Sequence, residues 1–474
     1  MKRLILYGCG NRCKILLRLL KNTDYIVSGI VDSNPANYGK NIEQFVVEAP
    51  DKILFDGDIY VCVTFYSTLV HEPIWEILLN QYGVNSQRLI SFYDLMIELC
   101  RGMVDFGRIA TYQPHSSFFL DGTWPLKLGG VESWLKDITL RLNENTGENV
   151  FLMTPLEESN VPENIRDYVY DFSFDEPGTY TKHNIEKAAC FILTHLPCTL
   201  VFSRIDELML AAFLLKERYL VDIKIIMAVH GSCDGMCTDI LSFRTMIDAY
   251  VCVSHGIKEE LIGRGVAEEC VHTMTVPMDY DISLKRTYTL NEKEPLRIGY
   301  AGRLELFEKR LDILLKLVEK LEEYRIDYIF SIAGSGKYKE TIYEYINKKG
   351  LNKKIYLLGC LEHSEINNFW KMQDLSITVS DNEGRCISNM EAMLNGAVPI
   401  VTMTVGTMED VRDGNNGYLV PICDYESMAE RIKYIDSHRD LLAILGEQAY
   451  NDMKNKVNPE QYVSMWNNLI FQHS

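Results

Sequence analysis

Residues 375–401 read LSITVSDNEGRCISNMEAMLNGAVPIV. A short apolar run with β-branched residues ends in a turn of Ser, Asp, Asn and Gly. An apolar stretch of helical length follows, Gly396 interrupts it, and a second apolar run continues through Val401. Strand, turn, helix, strand, with both strands apolar throughout, is the unit of a parallel sheet covered by helices. Working outward, the unit recurs. LRIGYAG, YIFSIAGSG and KIYLLGC precede it, NVFLMTP, IKIIMAVHG and AYVCVSHG lie further upstream, and RLILYGCG, IVSGIVDSNP and DIYVCVTF open the chain. Each run hands over to a helix through a turn rich in Gly, Ser or Asp. The first block fades out around Leu99 to Phe106, and the charged connector TLNEKEP separates the second from the third.

Composition supports this reading. The 474 residues are enough for several cores. An apolar share of 47% with 24% charged residues excludes a disordered or collagen-like chain. The net charge of -18 argues against nucleic-acid binding and against a polybasic membrane patch. The opening LILYGCG is too short for an export signal, and no run reaches the 18 or so apolar residues that span a bilayer. Thirteen cysteines, scattered singly through apolar runs, read as reduced and mostly buried thiols. Cys233 and Cys237 near His230 lack a second ligand pair of zinc-finger spacing.

The chemistry concentrates in the third block. Glu383 is expected to close a strand, Gly384 to make the turn, and Glu391 to lie on the following helix. Eight positions at helical rise correspond to roughly 12 Å, about the reach of a nucleoside diphosphate between ribose and sugar. The helix start between them offers free N–H groups and a positive dipole end for phosphates. Glu391 is followed by Ala-Met-Leu and a buried strand, so it reads as a buried carboxylate in need of partners. Upstream, YAGRLELFEKRLDILL places Arg303 and Lys309 at the carboxyl end of a parallel strand, where open α/β sheets bind ligands. An Arg fork and a Lys point charge suit the oxygens of a leaving diphosphate.

In this order GRLELFEKR, IAGSGKY, the Glu383-to-Glu391 motif, Gly396-Ala-Val-Pro399 and GTMEDVRDGNNGYLVP resemble the nucleotide-sugar half of family-4 retaining glycosyltransferases. The resemblance covers about residues 115–474 and is strongest over 297–422. It implies the GT-B fold, two Rossmann-like domains facing a cleft. It also implies that Arg303 and Lys309 hold the donor diphosphate, that the backbone of Gly384 and Arg385 faces the phosphates, that Glu391 binds the ribose and that Glu383 contacts the transferred sugar. Gly129-Gly130-Val131-Glu132 is similar to the family's glycine turn over the donor, and His230 matches its histidine beside the reacting centre. Glu409 lies in a loop whose usual Gly-Gly pair is reduced here to Val405-Gly406. A further departure is Arg385-Cys386 where the family often has Phe-Gly, which is expected to alter sugar fit or add a phosphate contact.

The expected organisation is an accessory Rossmann-like domain over 1–104, an acceptor-side GT-B domain over 105–290, a nucleotide-sugar domain over 291–457, and a helix over 458–474 returning to the acceptor side. In the accessory domain GCGNRC fits Gly-x-Gly but has Cys13 where a dinucleotide fingerprint wants Gly or Ala. Asp32 stands where a ribose-binding acid would. Dinucleotide binding, nucleotide-sugar binding and a docking or oligomerisation role all stay open for it. The resemblance implies a retaining transfer to a glycan or lipid-linked acceptor in surface polysaccharide or glycoconjugate synthesis. No metal ion or resident cofactor is expected; Asp279 to Asp281 has the shape of Asp-x-Asp but reads as structural. UDP is favoured as the commonest donor nucleotide of the resembled family. A cytoplasmic location is expected, with peripheral contact at the inner membrane face and a partner or second copy docking through residues 1–104 as further openings. A catalytically inactive glycosyltransferase-like binding or chaperone subunit is the alternative, and an epimerase or phosphorylase on a similar frame is a third reading.

Overall fold

The computed structural model describes the chain except for residues 22, 53–54, 56–57, 66–67, 105–116, 122–129, 160, 232–235, 279, 282, 285, 307 and 472–474, and except for the side chains of 68–72, 236–238 and 363. Three sheets follow one another along it. The first has six strands in the spatial order Asn41–Ile42, Phe45–Glu48, Tyr25–Val31, Lys2–Tyr7, Ile59–Val63 and Leu89–Ser91. All of its pairs are parallel except the hairpin of the first two. The second has seven parallel strands, ordered Val271–Thr273, Ala249–Cys252, Ile223–Val229, Cys198–Phe202, Ser117–Asp121, Val150–Thr154 and Val169–Asp171. The third has six parallel strands, ordered Ile355–Gly359, Tyr328–Ala333, Leu296–Ala301, Leu375–Thr378, Val398–Thr402 and Tyr418–Val420.

The third sheet shows why these residues form these elements. Its central strands are buried on both faces, which is why they read as unbroken apolar runs. Pro399 sits inside a strand without breaking it. Pairing with the neighbour at Tyr418 begins only at Ile400, so the missing N–H falls outside that ladder. The helix Leu311–Glu323 buries Leu311, Leu314, Leu317, Val318 and Leu321, an apolar stripe at helical spacing, against this sheet.

The cores are not divided as the three blocks of sequence are. One continuous cluster joins Leu4, Leu6, Phe92, Tyr93 and Met96 of the first sheet region to Ile185, Ala188, Leu208 and Phe243 of the second. The opposite face of the second sheet is covered partly by the last helix, Pro459–Phe471, which returns from the third region. There Trp134 Nε1 donates to the Tyr462 hydroxyl at 2.6 Å, and Phe118 meets Phe471 with ring centroids 4.4 Å apart.

Candidate active site

Two strand-to-helix turns of the third sheet lie back to back. Gly302 N donates to Ala333 O at 3.0 Å and Leu304 N to Ser335 O at 2.8 Å. Gly334 and Gly336 have φ of +137° and +156°, and a Cβ on them would lie 1.9 Å from Gly302 O and 2.3 Å from Leu304 O. Only glycine allows this approach. It sets the path of the loop that carries Arg303 and Lys309. Just before the helix Leu311–Glu323, Glu308 and Arg310 adopt φ of +61° and +47° on either side of Lys309.

That conformation brings Lys309 to Glu383, 74 positions away, with Nζ 2.5 Å from Oε1. Ser380 Oγ donates to the same oxygen at 2.7 Å, and Glu383 Oε2 takes no hydrogen bond from the described residues. Burial works against the ammonium, but the charge and hydrogen bond of Glu383 outweigh it and hold Lys309 above its ordinary value. Arg303 is 60% exposed and pairs with Glu308 at 3.0 Å. Both carriers of positive charge expected here are thus present at the carboxyl edge of the sheet.

Glu383 does not close a strand. The strand ends at Thr378 and the helix begins at Ile387, so Glu383 lies in a loop and the helical distance to Glu391 does not apply over all eight positions. The loop is held from the next strand: Thr402 Oγ1 donates to Ser380 O at 2.5 Å, and Gly406 N to Glu383 O at 2.8 Å. A Cβ on Gly406 would stand 2.8 Å from the backbone of Arg385 and Glu383, which is why a glycine survives in this otherwise reduced loop. Glu391 lies in the helix Ile387–Leu394, where its carbonyl accepts from Asn395 Nδ2 at 2.9 Å while its carboxylate takes no hydrogen bond of normal geometry from the described residues. Burial pushes its carboxyl up to about 7, opposed only by the nearby Trp370, whose buried indole N–H is itself unpartnered. Of the partners expected for Glu391, the described residues offer the Trp370 indole, placed beside the carboxyl but short of hydrogen-bond geometry.

Arg385 departs from expectation. Its guanidinium is buried in a fork on Asp410, at 3.0 and 2.6 Å, and donates to Val253 O at 2.9 Å. Its side chain is therefore unavailable to a phosphate, and only its backbone can line the turn. The pairing ties the third sheet's region to the second. Two further contacts do the same: the Glu409 carboxylate accepts from His255 N at 3.2 Å and lies 2.7 Å from His255 Nδ1, and Gly256 packs against Val405. Burial raises Glu409, but His255 and Arg385 outweigh it and hold it below the usual carboxylate range. Sequence reading missed Asp410 and His255, since nothing local marks a partner so distant in the chain.

The second sheet contributes His230, immediately after the strand Ile223–Val229. Its backbone abuts the Gly384 turn so closely that a Cβ on Gly384 would lie 2.1 Å from His230 O. The imidazole packs edge-on to Trp134 at 4.5 Å, and its buried Nε2 has no partner. Burial lowers its pKa to about 4, so the ring is neutral near pH 7. Gly130 opens the helix Gly130–Thr146 and is exposed, while Gly129 and Cys233 lie outside the described residues, as does the side chain of Cys237. Asp281 accepts from Lys371 at 2.7 Å on the surface, and Asp279 is not among the described residues. No helix among the described residues is long and apolar enough to cross a membrane.

Residues 282–452 match the family described as glycosyl transferases group 1. The chain is 27% identical over 182 residues to the poly(ribitol-phosphate) alpha-N-acetylglucosaminyltransferase of Staphylococcus aureus, covering 36% of this chain and 35% of that protein. It is 30% identical over 154 residues to the poly(glycerol-phosphate) alpha-glucosyltransferase of Bacillus subtilis, covering 32% of this chain and 21% of that one. The chain thus spans about a third or less of the length of these relatives. Among solved structures, the lipopolysaccharide outer core galactosyltransferase WaaB superposes with a TM-score of 0.61 at 16% identity, over 75% of this chain and 99% of that one. HepE from Anabaena, in complex with UDP and glucose, gives 0.60 at 16%, over 74% and 98%. TarM of S. aureus, in complex with UDP among other ligands, gives 0.52 at 12% over all of both chains. At these identities the likeness is one of fold, and that fold is GT-B. Residues 282–452 therefore form a group 1 glycosyltransferase domain within a chain of GT-B architecture.

Proposed function

We propose that the protein is a retaining glycosyltransferase that moves a sugar from a nucleoside diphosphate, with UDP favoured, to a glycan or lipid-linked acceptor in surface polysaccharide or glycoconjugate synthesis. The observation that carries this reading is the convergence of the Lys309–Glu383 pair and the Gly384 turn on His230 across the two GT-B sheets. The relatives' names support the reaction class, and the UDP complexes of HepE support the donor base. Residues 105–290 form the acceptor side and 291–457 the donor side in this reading.

The donor diphosphate lies between Arg303, Lys309 and the N–H groups at the start of the helix Ile387–Leu394. Glu391 accepts from ribose hydroxyls. Glu383, with Oε1 committed to Lys309 and Ser380, offers Oε2 to a hydroxyl of the sugar. His230, neutral and with an unpartnered Nε2, meets the sugar from the opposite wall as a hydrogen-bond partner rather than as an acid. The bond from the anomeric carbon to the phosphate oxygen breaks while the acceptor oxygen bonds to the same face, and the acceptor proton passes to the departing phosphate. No strong protein nucleophile is needed, because positioning and charge stabilisation carry the rate. Lys309 and Arg303 answer the growing phosphate charge, so the reaction proceeds without a divalent ion. The acceptor, soluble or presented at the inner membrane face, enters from the side of the second sheet.

The test is incubation with UDP-, GDP- and ADP-sugars, reading nucleoside diphosphate release with and without EDTA, alongside Glu391→Ala. Release that survives chelation and is lost in the variant is expected. If no donor is cleaved and no nucleotide shifts the melting temperature, the chain is a binding or chaperone subunit instead.

A further inference from the structure

The first sheet has its own crevice. Strand order reverses between Lys2–Tyr7 and Ile59–Val63, and ligands of open α/β sheets bind at the carboxyl ends of strands at such a reversal. Here those ends carry Gly8, Cys9, Gly10 and the helix Asn11–Leu19 on one side, and Thr64 and Phe65 on the other. This is where the imperfect glycine fingerprint would place a dinucleotide.

The groups that would serve such a ligand are already committed. Asp32 is buried and accepts from Cys9 N at 3.2 Å and Asn34 N at 2.8 Å, which leaves it braced against its own turn rather than open to a ribose. A Cβ on Gly8, whose φ is +111°, would lie 2.6 Å from Thr64 Oγ1, and that hydroxyl is bonded to the carbonyls of Tyr7 and Gly8. Arg12, in the first turn of the helix, donates to Phe65 O at 3.2 Å and forks onto Asp239 of the second sheet's region at 2.5 and 3.2 Å. Both side chains of that ion pair are nearly buried, at 12% and 10% exposure. The guanidinium also lies over the rings of Phe92 and Tyr93 at 4.7 and 5.2 Å. Around it, Ser91 Oγ meets Ser242 Oγ at 3.1 Å and the Tyr93 hydroxyl meets that of Tyr180 at 2.9 Å. The apolar core runs without interruption beneath these contacts.

Asp239 belongs to the helix Met236–Leu241, which begins six positions after His230. His230 is fixed on its other side by its strand and by the Gly384 turn. His230 is thus held by its strand and the Gly384 turn, and Asp239, nine positions on, by the first sheet.

We propose that the crevice of the first sheet is a clamp for the helix Met236–Leu241, closed by Arg12 on Asp239, and that these two are positioning residues for the acceptor side of the transfer site. The catalytic part of this inference rests on the glycosyltransferase reading; the clamp itself does not. Removing one partner of a buried pair strands the other charge, so the variants compared are Arg12→Gln, Asp239→Asn and the two together, which keeps hydrogen-bonding groups without charge.

In the full chain, amide hydrogen exchange over residues 226–241 is read first, since it needs no activity. Each single variant is expected to lower protection there at least tenfold, and the double variant to restore it to within about threefold. With the donor and acceptor found active, each single variant is expected to raise the acceptor KM at least tenfold and the donor KM by less, through the contact of His230 with the transferred sugar. The double variant is expected to recover the acceptor KM. Unchanged exchange in a folded single variant would overturn the clamp, and changed exchange with both KM values unmoved would overturn the positioning role. A melting-temperature shift with NAD or a nucleotide sugar that Arg12→Gln abolishes would make the crevice a ligand site instead. If wild-type protein transfers nothing, the glycosyltransferase reading fails while the exchange measurement still decides the clamp.

Discussion

Two crevices in this chain share one local grammar and have opposite outcomes. In the first sheet, LILYGCG ends a strand at a glycine turn, a helix follows, and Arg12 presents a cation at the carboxyl edge. In the third, IGYAG ends a strand at a glycine turn, a helix follows, and Arg303 and Lys309 present cations at the same edge. The first cation is consumed by a carboxylate from a neighbouring sheet region and sealed under aromatic rings; Lys309 is also paired, but with Glu383 of its own sheet region, and Arg303 stays 60% exposed beside Glu308. The motif supplies a place for an anion, and the surrounding chain decides whether that anion is a ligand or part of the protein.

The largest effect that would sharpen this contrast comes from the cations. Lys309→Met is expected to lower turnover of the donor by about 10²–10³, the cost of losing one preorganised group that stabilises developing charge. Arg12→Gln leaves donor cleavage in the absence of acceptor within about threefold. Initial rates of nucleoside diphosphate release check both, and equal losses would break the comparison.

The glycines come next. Gly334→Ala places a Cβ 1.9 Å from Gly302 O at a φ of +137°, so the back-to-back turns must part, at a cost of about 3 kcal/mol. Gly10→Ala meets nothing within 4 Å at a φ of -77° and is expected to stay within about 0.5 kcal/mol of wild type. Urea denaturation of the two variants gives the ranking directly.

The regions also answer acid differently. His230 is held down to about 4 against an ordinary 6.5, so the unfolded chain takes up a proton that the folded one refuses. Its contribution, up to about 3 kcal/mol, is present above pH 6.5 and lost as pH falls toward 4. At the clamp, burial raises Asp239 to about 6 against the pull of Arg12, so the folded chain takes up that proton first and the contribution is lost as pH rises through 6. Melting curves between pH 4 and 7 are expected to be less acid-sensitive for His230→Asn and more so for Asp239→Asn.

A smaller effect concerns Glu391, whose carboxyl at about 7 accepts more strongly from a ribose once ionised. Donor affinity is expected to tighten as pH rises through 7, while the free protein loses the stability this group contributes over the same range. Glu391→Gln should bind the donor about tenfold more weakly at pH 8, a loss of one charge-assisted hydrogen bond, with the pH dependence removed. Calorimetric titration with the nucleoside diphosphate reads both.

How much of this was legible follows from how local each signal is. The alternation of apolar runs and glycine turns displayed all three α/β blocks, because a parallel strand advertises its burial in its own residues. That Arg303 and Lys309 follow a strand at the sheet's carboxyl edge, and that Glu391 lies on a helix, could be read from sequence. The pairing of Lys309 with Glu383 could not, since it is reached only through the positive φ of Glu308 and Arg310, conformations that nothing in FEKR announces. Arg385 read as altering sugar fit or adding a phosphate contact because its real partner, Asp410, lies 25 positions on and is buried. Arg12 read as one residue of an imperfect fingerprint for the same reason, its partner being 227 positions away. Side chains that act within their own element could be read, and those that join elements could not.

The smallest expected effect sets one arginine fork against the other. Arg310 clasps Asp312 with two bonds of 3.0 Å, reaches Cys423 Sγ at 2.9 Å, and is only about a quarter exposed. Yet its backbone is left-handed, which costs a side-chain-bearing residue about 1 kcal/mol. Arg310→Gly forfeits the part-exposed pairs with Asp312 and Asp381, worth about 1 kcal/mol, and relieves the backbone. It is therefore expected to lie within about 1 kcal/mol of wild type. Arg310→Ala forfeits the pairs without relief and is expected to be the less stable of the two, as at an N-cap and opposite to the ranking of Ala over Gly inside a helix. Arg12 pays no such backbone cost, since it lies within a regular helix, so Arg12→Gly and Arg12→Ala are expected to rank the ordinary way round, both below wild type. If Ala outranked Gly at 310 as well, the left-handed turn that aims Lys309 would not be under strain, and the difference between the crevices would rest on charge alone.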